Sequence, residues 1–298
     1  MTAPELTFSV VICTLNRAAL LTDALKSVGE LEHPASDFEV LVVDNGSTDD
    51  TQGVVRRFAE GSPLTVRSVV EPERGLSAAR NRGIREAKGR FVFFTDDDQL
   101  VHPHALREFQ RVVSSYDARV VQGKIELLFP EGRPAWLEPP LTHMLGETVD
   151  APEGPAQLDL YGGNMLLLRS LFDEGEGFRH DLGKGTSGWS EDVELSQRLK
   201  ARGERVVYAP TARVFHVIGP DRTTLSFFRR TAFEKGYSDG ITAPRRVGFA
   251  ARALGSLALR STLAVGARAL GGRAAGLHSQ TRALNRLGQL WGLIRRPD

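Results

Sequence analysis

Three apolar runs in the first hundred residues each stop at a polar loop: FSVVICT (Phe8 to Thr14), FEVLVV (Phe38 to Val43) and RFVFFT (Arg90 to Thr95). Continuous β-branched and aromatic runs of this length read as strands buried on both faces. Between them, Leu20 to Glu30 carries Leu20, Leu21, Ala24, Leu25 and Val28 on one helical stripe. Thr51 to Glu60 and Leu76 to Ala87 read as further helices, Leu64 to Val70 as another strand, and Gly89 as a stop. Alternation at such short spacing predicts a mostly parallel sheet with helices on both faces. In that architecture the loops at the carboxyl ends of the strands share one edge. Thr14-Leu15-Asn16-Arg17, Asp44-Asn45-Gly46-Ser47 and Asp96-Asp97-Asp98 all fall there.

The second half is less regular. His102 to Ser115 reads as a helix with Pro103 in its first turn, Val120 to Phe129 as a strand, and the Pro- and Gly-rich stretch from Pro130 to Pro155 as a loop or lid. Tyr161 to Arg169 (YGGNMLLLR) reads as a strand entered through glycines. Ser190 to Ala201 reads as a helix with an acidic first turn, and Arg205 to Tyr208 as a strand. From Leu225 onward the pattern is helical.

Hydrophobic content of 41% and charged content of 25% suit a globular chain with ample core. Cys13 is the single cysteine, which excludes an internal disulfide framework and fits a reducing compartment. Met1 to Leu6 lacks the basic segment of a secretory signal. Apolar stretches fall short of the roughly 18 residues a membrane span needs. The expected location is therefore cytoplasmic. Residues 241–298 hold ten arginines against one acid, Asp298, so a basic tail follows an acidic body. Such a tail is either a solvated helix face or a surface for an anionic partner.

Three adjacent aspartates repel one another and lose solvation when buried, so a bound cation is the simplest compensation. If the chain stays extended, Asp96 and Asp98 face one way and Asp97 the other. Oxygen ligands suit Mg²⁺ or Mn²⁺, which keep positions for substrate phosphates. An acidic helix start is the plain alternative. Asp44 is placed to accept from a nucleobase N–H, although DNGS is also an ordinary turn. Ser190, Glu191 and Asp192 equally make a good helix start.

In order and spacing, FSVVICTLNR, VLVVDNGSTDDT, ERGLSAARNRGIREAKG and FVFFTDDD resemble the N-terminal half of glycosyltransferase family 2 enzymes with the GT-A fold. YGGNMLLLR and GWSEDVELSQRLKARGERVVYAP are similar to that family's acceptor-side strand and ED segment. The resemblance spans roughly residues 6 to 217. It implies a GT-A domain over 1–224, with a nucleotide-binding half (1–118) and an acceptor-binding half (119–224), and leaves 225–298 as a helical, Arg-rich extension. It further implies a metal-dependent, inverting glycosyltransferase that uses a nucleotide-diphosphate sugar, UDP-linked by the family's habit.

The residue assignments follow from the resemblance. Asp98 is the implied direct metal ligand, with Asp96, and His216 stands where some members place a further metal or phosphate contact. Thr14, Asn16, Arg17, Asp44, Asp96 and Asp97 are implied around the nucleotide sugar, as are Asn81 and either Arg74 or Arg80. Asn45 replaces the second acid of the family's DDGS. Asp192 is the implied catalytic base, with Glu191 as runner-up, taking the acceptor hydroxyl's proton as its oxygen attacks C1. Gly163, Asn164 and Trp189 are implied on the sugar or acceptor side, and Gly162 would allow close backbone approach.

Two other readings compete: a sugar-phosphate nucleotidyltransferase, and a degenerate sugar-binding or scaffold protein. TLNRAAL lacks the glycine of the nucleotidyltransferase loop, and the joint presence of Asp98 and Asp192 argues against degeneration. In the tail, Leu284, Leu287, Trp291 and Ile294 recur at helical spacing beside Arg282, Arg286, Arg295 and Arg296. That pattern suits an anionic membrane surface such as the inner face of the cell membrane, the catalytic domain, or a second subunit. A lipid-linked hydroxyl acceptor would fit the first of these, and nucleic acid is not an expected partner.

Overall fold

The structure, a computed structural model, describes residues 6–173, 175, 177–243, 256 and 272–295. These residues form two compact units. The first holds the described segments up to Leu128, Thr148–His180 and Glu191–Val217; the second holds Phe129–Glu147, Asp181–Ser190 and the described residues from Ile218 onward. The expected division places halves 1–118 and 119–224 in one domain and 225–298 in an extension. Here two earlier segments also group with the C-terminal helices.

The first unit begins with strictly alternating elements: β1 (Phe8–Thr14), α1 (Ala18–Gly29), β2 (Phe38–Asp44), α2 (Thr51–Gly61), β3 (Thr65–Val70), α3 (Leu76–Glu86) and β4 (Phe91–Asp96). β5 (Gln99–Val101), α4 (Ala105–Tyr116), β6 (Val120–Leu128), β7 (Gly154–Pro155), β8 (Asn164–Leu168), α5 (Glu191–Ala201) and β9 (Val206–Val217) complete it. Strand order is β3-β2-β1-β4-β8-β6-β9-β5, with β7 on β9. β3, β2, β1 and β4 run parallel, β8 is antiparallel to β4 and β6, and β9 returns parallel to β6.

Alternation along β1 explains the two-sided burial. Phe8, Val10 and Ile12 join Leu21 and Leu25 of α1 and Phe109 of α4 in one core. Val11 faces the other way, with Ala79 of α3 and Leu195 of α5. Each central strand thus feeds two apolar layers, as a parallel sheet covered on both faces requires. The mostly parallel α/β sheet expected from the sequence is present.

Two expectations about local structure are corrected. β4 ends at Asp96, and Asp97 and Asp98 form the turn into β5. The three aspartates therefore do not alternate as along an extended strand. Likewise β9 runs to Val217 rather than stopping at Tyr208. Its pairing with β6 slips between Gly123 and Lys124, opposite the stretch that contains Pro210, and a bulge is where a sheet tolerates proline.

In the second unit, α6 (Leu225–Thr242) packs on α7 (Gly272–Arg295). Gly236 and Gly240 of α6 meet Gly288 and Gly292 of α7 so closely that a Cβ at Gly240 would lie 3.0 Å from the Gly292 Cα. A Cβ at Gly236 would overlap the Asn285 carbonyl. Trp136 and Phe228 stack edge-on, with ring centroids 5.6 Å apart. Arg296 and most of the arginines of 241–298 lie outside the described residues. Among the described residues, no helix is long and apolar enough to cross a membrane.

Candidate functional site

Two groups of acids gather at the carboxyl ends of β1 and β4, each around one arginine. In the first, the Arg17 Nη1 donates to Asp97 Oδ1 at 2.7 Å and to Asp98 Oδ2 at 2.9 Å. Thr14, at the end of β1, donates its hydroxyl to Asp97 Oδ2 at 2.8 Å. Burial pushes the Asp97 carboxyl up to about 6 against the pull of Arg17, with Asp98 adding to the rise. His216 lies opposite Gln99 in the β5–β9 pair, which brings its Nε2 to 3.5 Å from Asp98 Oδ1. The compensating positive charge that three adjacent carboxylates need is thus partly built into the chain.

The second group surrounds Arg80, a buried residue of α3. Its Nη1 meets Glu191 Oε1 at 2.5 Å and its Nη2 lies 3.5 Å from Asp96 Oδ1. The guanidinium also sits 5.4 Å from the centre of the Phe178 ring. Burial, then the neighbouring Asp192 charge, push the Glu191 carboxyl well above the usual range while Arg80 pulls it down. Asp192, in the first turn of α5, takes the Gly162 N–H on Oδ2 and the Val193 N–H on Oδ1, both at 2.8 Å. A Cβ at Gly162 would overlap the Arg80 guanidinium, and one at Gly163 would press on Gln99 and Asp96. These two glycines are what allow the strand entry to pass over the acids.

Several residues expected in the site have other partners. Asp44 accepts from Ser47 N at 2.8 Å and from Gln52 Nε2 at 2.5 Å, so it shapes its own turn. Asn16, at φ 53°, accepts the Thr48 N–H at 2.7 Å and ties the first loop to the second. The Asn81 side chain clamps Phe178, accepting its backbone N–H on Oδ1 at 2.7 Å and donating from Nδ2 to its carbonyl at 2.8 Å. Asn164 spends its amide on the carbonyls of Lys124 and Ala212, each at 2.9 Å. Arg74 is exposed on the loop before α3, whereas Arg80 is the arginine that touches the acids. Trp189 belongs to the second unit, where its indole N–H points at Glu234 Oε2 at 3.4 Å.

Sequence reasoning assigned no role to Tyr161 or Gln99. The Tyr161 phenol is raised by burial and then by the Asp192 charge, so it is a neighbour of that carboxylate. Gln99 accepts from Thr95 Oγ1 and from the Asp96 N–H, fixing the turn after β4. For Gln99 only the β5 pairing reveals this. For Tyr161, adjacency to the glycine pair was a usable signal.

A hard divalent ion fits the first group by its donor chemistry. Asp98 and His216 present a carboxylate and an imidazole side by side, and two protein ligands leave positions for phosphate oxygens. Among the described residues no three His, Cys, Asp or Glu side chains form a self-sufficient metal cage. Water or a ligand's oxygens would complete the shell of such an ion.

The sequence matches the family described as Glycosyl transferase family 2 over residues 9–175, more than half of the 298. The chain belongs to that family. Within it, glycosyltransferase AglE of Haloferax volcanii is 33% identical over 124 residues, covering 42% of this chain and 41% of that protein. TarS of Staphylococcus aureus, a poly(ribitol-phosphate) beta-N-acetylglucosaminyltransferase, is 29% identical over 127 residues, covering 43% of this chain and 22% of that protein. This chain spans well under half of the length of either relative. A mannosyltransferase from Pyrobaculum calidifontis, solved with GDP-Man and Mn²⁺, shares the fold with a TM-score of 0.66 at 22% identity, covering 97% of this chain and 87% of that one. TarS 1–349 with UDP gives 0.56 at 18% identity, covering 95% and 90%. These structures support the GT-A architecture for this family member.

Proposed function

We propose that this family 2 member is an inverting glycosyltransferase that moves a sugar from a nucleotide diphosphate to a hydroxyl acceptor. The observation that carries the reading is Arg80. One guanidinium reaches both Asp96, at the end of β4, and Glu191, which immediately precedes Asp192. It thereby ties the acids at the proposed donor-phosphate end to the acid proposed to act on the acceptor.

Asp192 is the base in this reading, because Glu191 is committed to Arg80 whereas Asp192 is oriented by backbone N–H groups. Its carboxylate takes the acceptor hydroxyl's proton while the oxygen attacks C1 from the face opposite the diphosphate. The new C–O bond forms as the bond to the diphosphate breaks, and the electron pair leaves with the phosphate. Inversion follows in one step. A Mg²⁺ or Mn²⁺ ion held by Asp98 and His216, with Asp96 nearby, would offset the charge on the leaving diphosphate. Thr14, Arg17 and Asp97 shape the mouth of that site, and the Arg17 guanidinium is positioned to turn from carboxylate to phosphate.

UDP is the favoured donor nucleotide, since TarS binds it, and GDP is the alternative offered by the mannosyltransferase. Family membership lends no support to a nucleotidyltransferase. Turnover of UDP-GlcNAc and GDP-mannose with Mn²⁺ is the test, in wild type, Asp98→Ala and Asp192→Asn. Loss in both variants supports the reading. Binding without turnover in the wild type would return the protein to the scaffold class.

A second reading concerns location. Leu287, Trp291 and Ile294 are exposed along one face of α7 (45%, 46% and 75%), and the Arg295 guanidinium lies 5.0 Å from the Trp291 ring centre. Arg282 is exposed on the same helix. An apolar stripe with flanking arginines suits an anionic bilayer interface, where a lipid-linked acceptor would also reside. Flotation on phosphatidylglycerol vesicles should fall for Trp291→Ser with Ile294→Asp. Equal flotation removes the idea.

A further inference from the structure

Ser190 precedes the Glu191–Asp192 pair directly, and its φ is +73°. Among the described residues only Asn16, Asp117 and Ser190 are non-glycine residues with positive φ. Asn and Asp visit this region through local hydrogen bonds of their side chains, whereas serine has no such ease there. Something must therefore hold Ser190 in place, and the second unit contains it. The Ser190 hydroxyl donates to Asp239 Oδ1 of α6 at 3.0 Å. The Trp189 N–H donates to the Ser238 hydroxyl at 3.2 Å, and that hydroxyl lies 3.1 Å from the Ser187 carbonyl. Ser238 and Asp239 of α6, with Glu234 one turn earlier, thus fasten residues 187–190.

Asp239 is itself held by α7. Gln289 Nε2 is 3.5 Å from its Oδ2, and Asn285 also hydrogen-bonds to it. Both reach because Gly236 and Gly240, on either side of Asp239, admit the α7 backbone: a Cβ at either would overlap the carbonyl of Asn285 or Gln289. The glycine contact, the Asp239 carboxylate and the left-handed serine form one chain of dependence. It ends at the peptide bond that leads into α5.

We propose that Asp239 is a positioning residue for glycosyl transfer: the α6–α7 pair, acting through Asp239, holds Ser190 in its left-handed conformation and so fixes the backbone that delivers Asp192. This rests on the reading of Asp192 as the base. It gives the α6–α7 pair a part in the chemistry through the chain that leads into α5.

The test compares two substitutions that both delete the Ser190 hydroxyl in the full-length chain. Glycine adopts φ +73° without a steric penalty, whereas alanine does not. With UDP-GlcNAc or GDP-mannose, whichever the wild type turns over, Ser190→Ala should lower kcat about tenfold, the rate equivalent of the left-handed penalty. The donor KM should stay unchanged, and Ser190→Gly should retain the wild-type kcat. Asp239→Ala should match Ser190→Ala, and adding Ser190→Gly to it should restore kcat. Equal rates for Ser190→Ala and Ser190→Gly, or no rescue of Asp239→Ala, overturn the proposal. Asp192→Asn separates the two layers. If that variant retains full activity, the base assignment falls and this proposal with it. If it is inactive while Ser190→Ala is unimpaired, the positioning role alone falls.

Discussion

Arg17 and Arg80 each hold two carboxylates, but the Arg17 side chain keeps 29% of its surface in solvent and the Arg80 side chain 3%. Arg17 stands at the end of β1, where water can replace any partner it gives up. Arg80 is enclosed between α3, α5 and the Phe178 ring, where losing a partner leaves a bare charge in a poor solvent. The difference teaches that the same ion-pair chemistry serves two purposes here. One pair is exchangeable, as a ligand-responsive mouth requires. The other is a fixed brace between the strand that ends in Asp96 and the helix that begins with Glu191.

The largest effect that would sharpen this contrast is on stability. Arg80→Met should cost about 3–5 kcal/mol by urea titration, because Glu191 remains buried without its counter-ion. Adding Glu191→Leu should recover part of that cost, since a buried pair can often be replaced by apolar side chains of similar volume. Arg17→Gln keeps donors for Asp97 and should cost only about 1 kcal/mol. Similar costs for the two single variants would break the distinction. Next in size is Gly162→Ala, whose Cβ overlaps the Arg80 guanidinium and must displace it. About 1–3 kcal/mol is expected, the usual cost of overpacking. If Arg80→Met is already present, the alanine should cost little, since the obstructing group has gone.

A smaller effect bears on the exchangeable member. The Arg17 Nη1 donates to Asp98 Oδ2, so a cation bound at that oxygen must compete with it. Arg17→Gln should therefore bind Mn²⁺ more tightly than wild type in the absence of nucleotide, as read by calorimetry. The same measurement on Arg80→Met should show no such gain. A weaker affinity in Arg17→Gln would mean that Arg17 organises Asp98 for the metal rather than standing in for it.

The parallel half of the fold was legible because its strands are continuous apolar runs and its loops carry the chemistry. The turn at Asp97 was not, since nothing in FVFFTDDDQL marks where extension ends; the pairing of Gln99 with His216 decides it. His216 beside Asp98 depends on β9 continuing past Pro210, which local propensity argues against and the bulge with β6 permits. The α6–α7 contact was overlooked for a related reason. GYSDG and GQLWG are unremarkable as single segments, and their glycines acquire meaning only when each has the other's backbone against it. Asp44 and Asn81 carry bonds within the chain that the sequence does not announce. Both are polar residues at strand or helix positions that suit a ligand, and both are bonded to the chain itself.

The finest test of the Arg80 brace is its response to pH. Burial first, and the Asp192 charge second, hold the Glu191 carboxyl above its ordinary value, with Arg80 opposing them. A carboxyl raised in the folded state keeps a proton that the unfolded chain has released. Its stabilising contribution is therefore complete below the unfolded value and is lost as pH rises through the folded one. Glu191→Gln cannot titrate, so the stability difference between wild type and this variant should shift against the wild type from about pH 5 to about pH 7.5. Urea titrations of both proteins at the two pH values measure that difference directly. A difference that stays constant would mean that Arg80 keeps Glu191 ionised throughout, and the brace would then be a full ion pair whose strength offsets both the burial and the second acid.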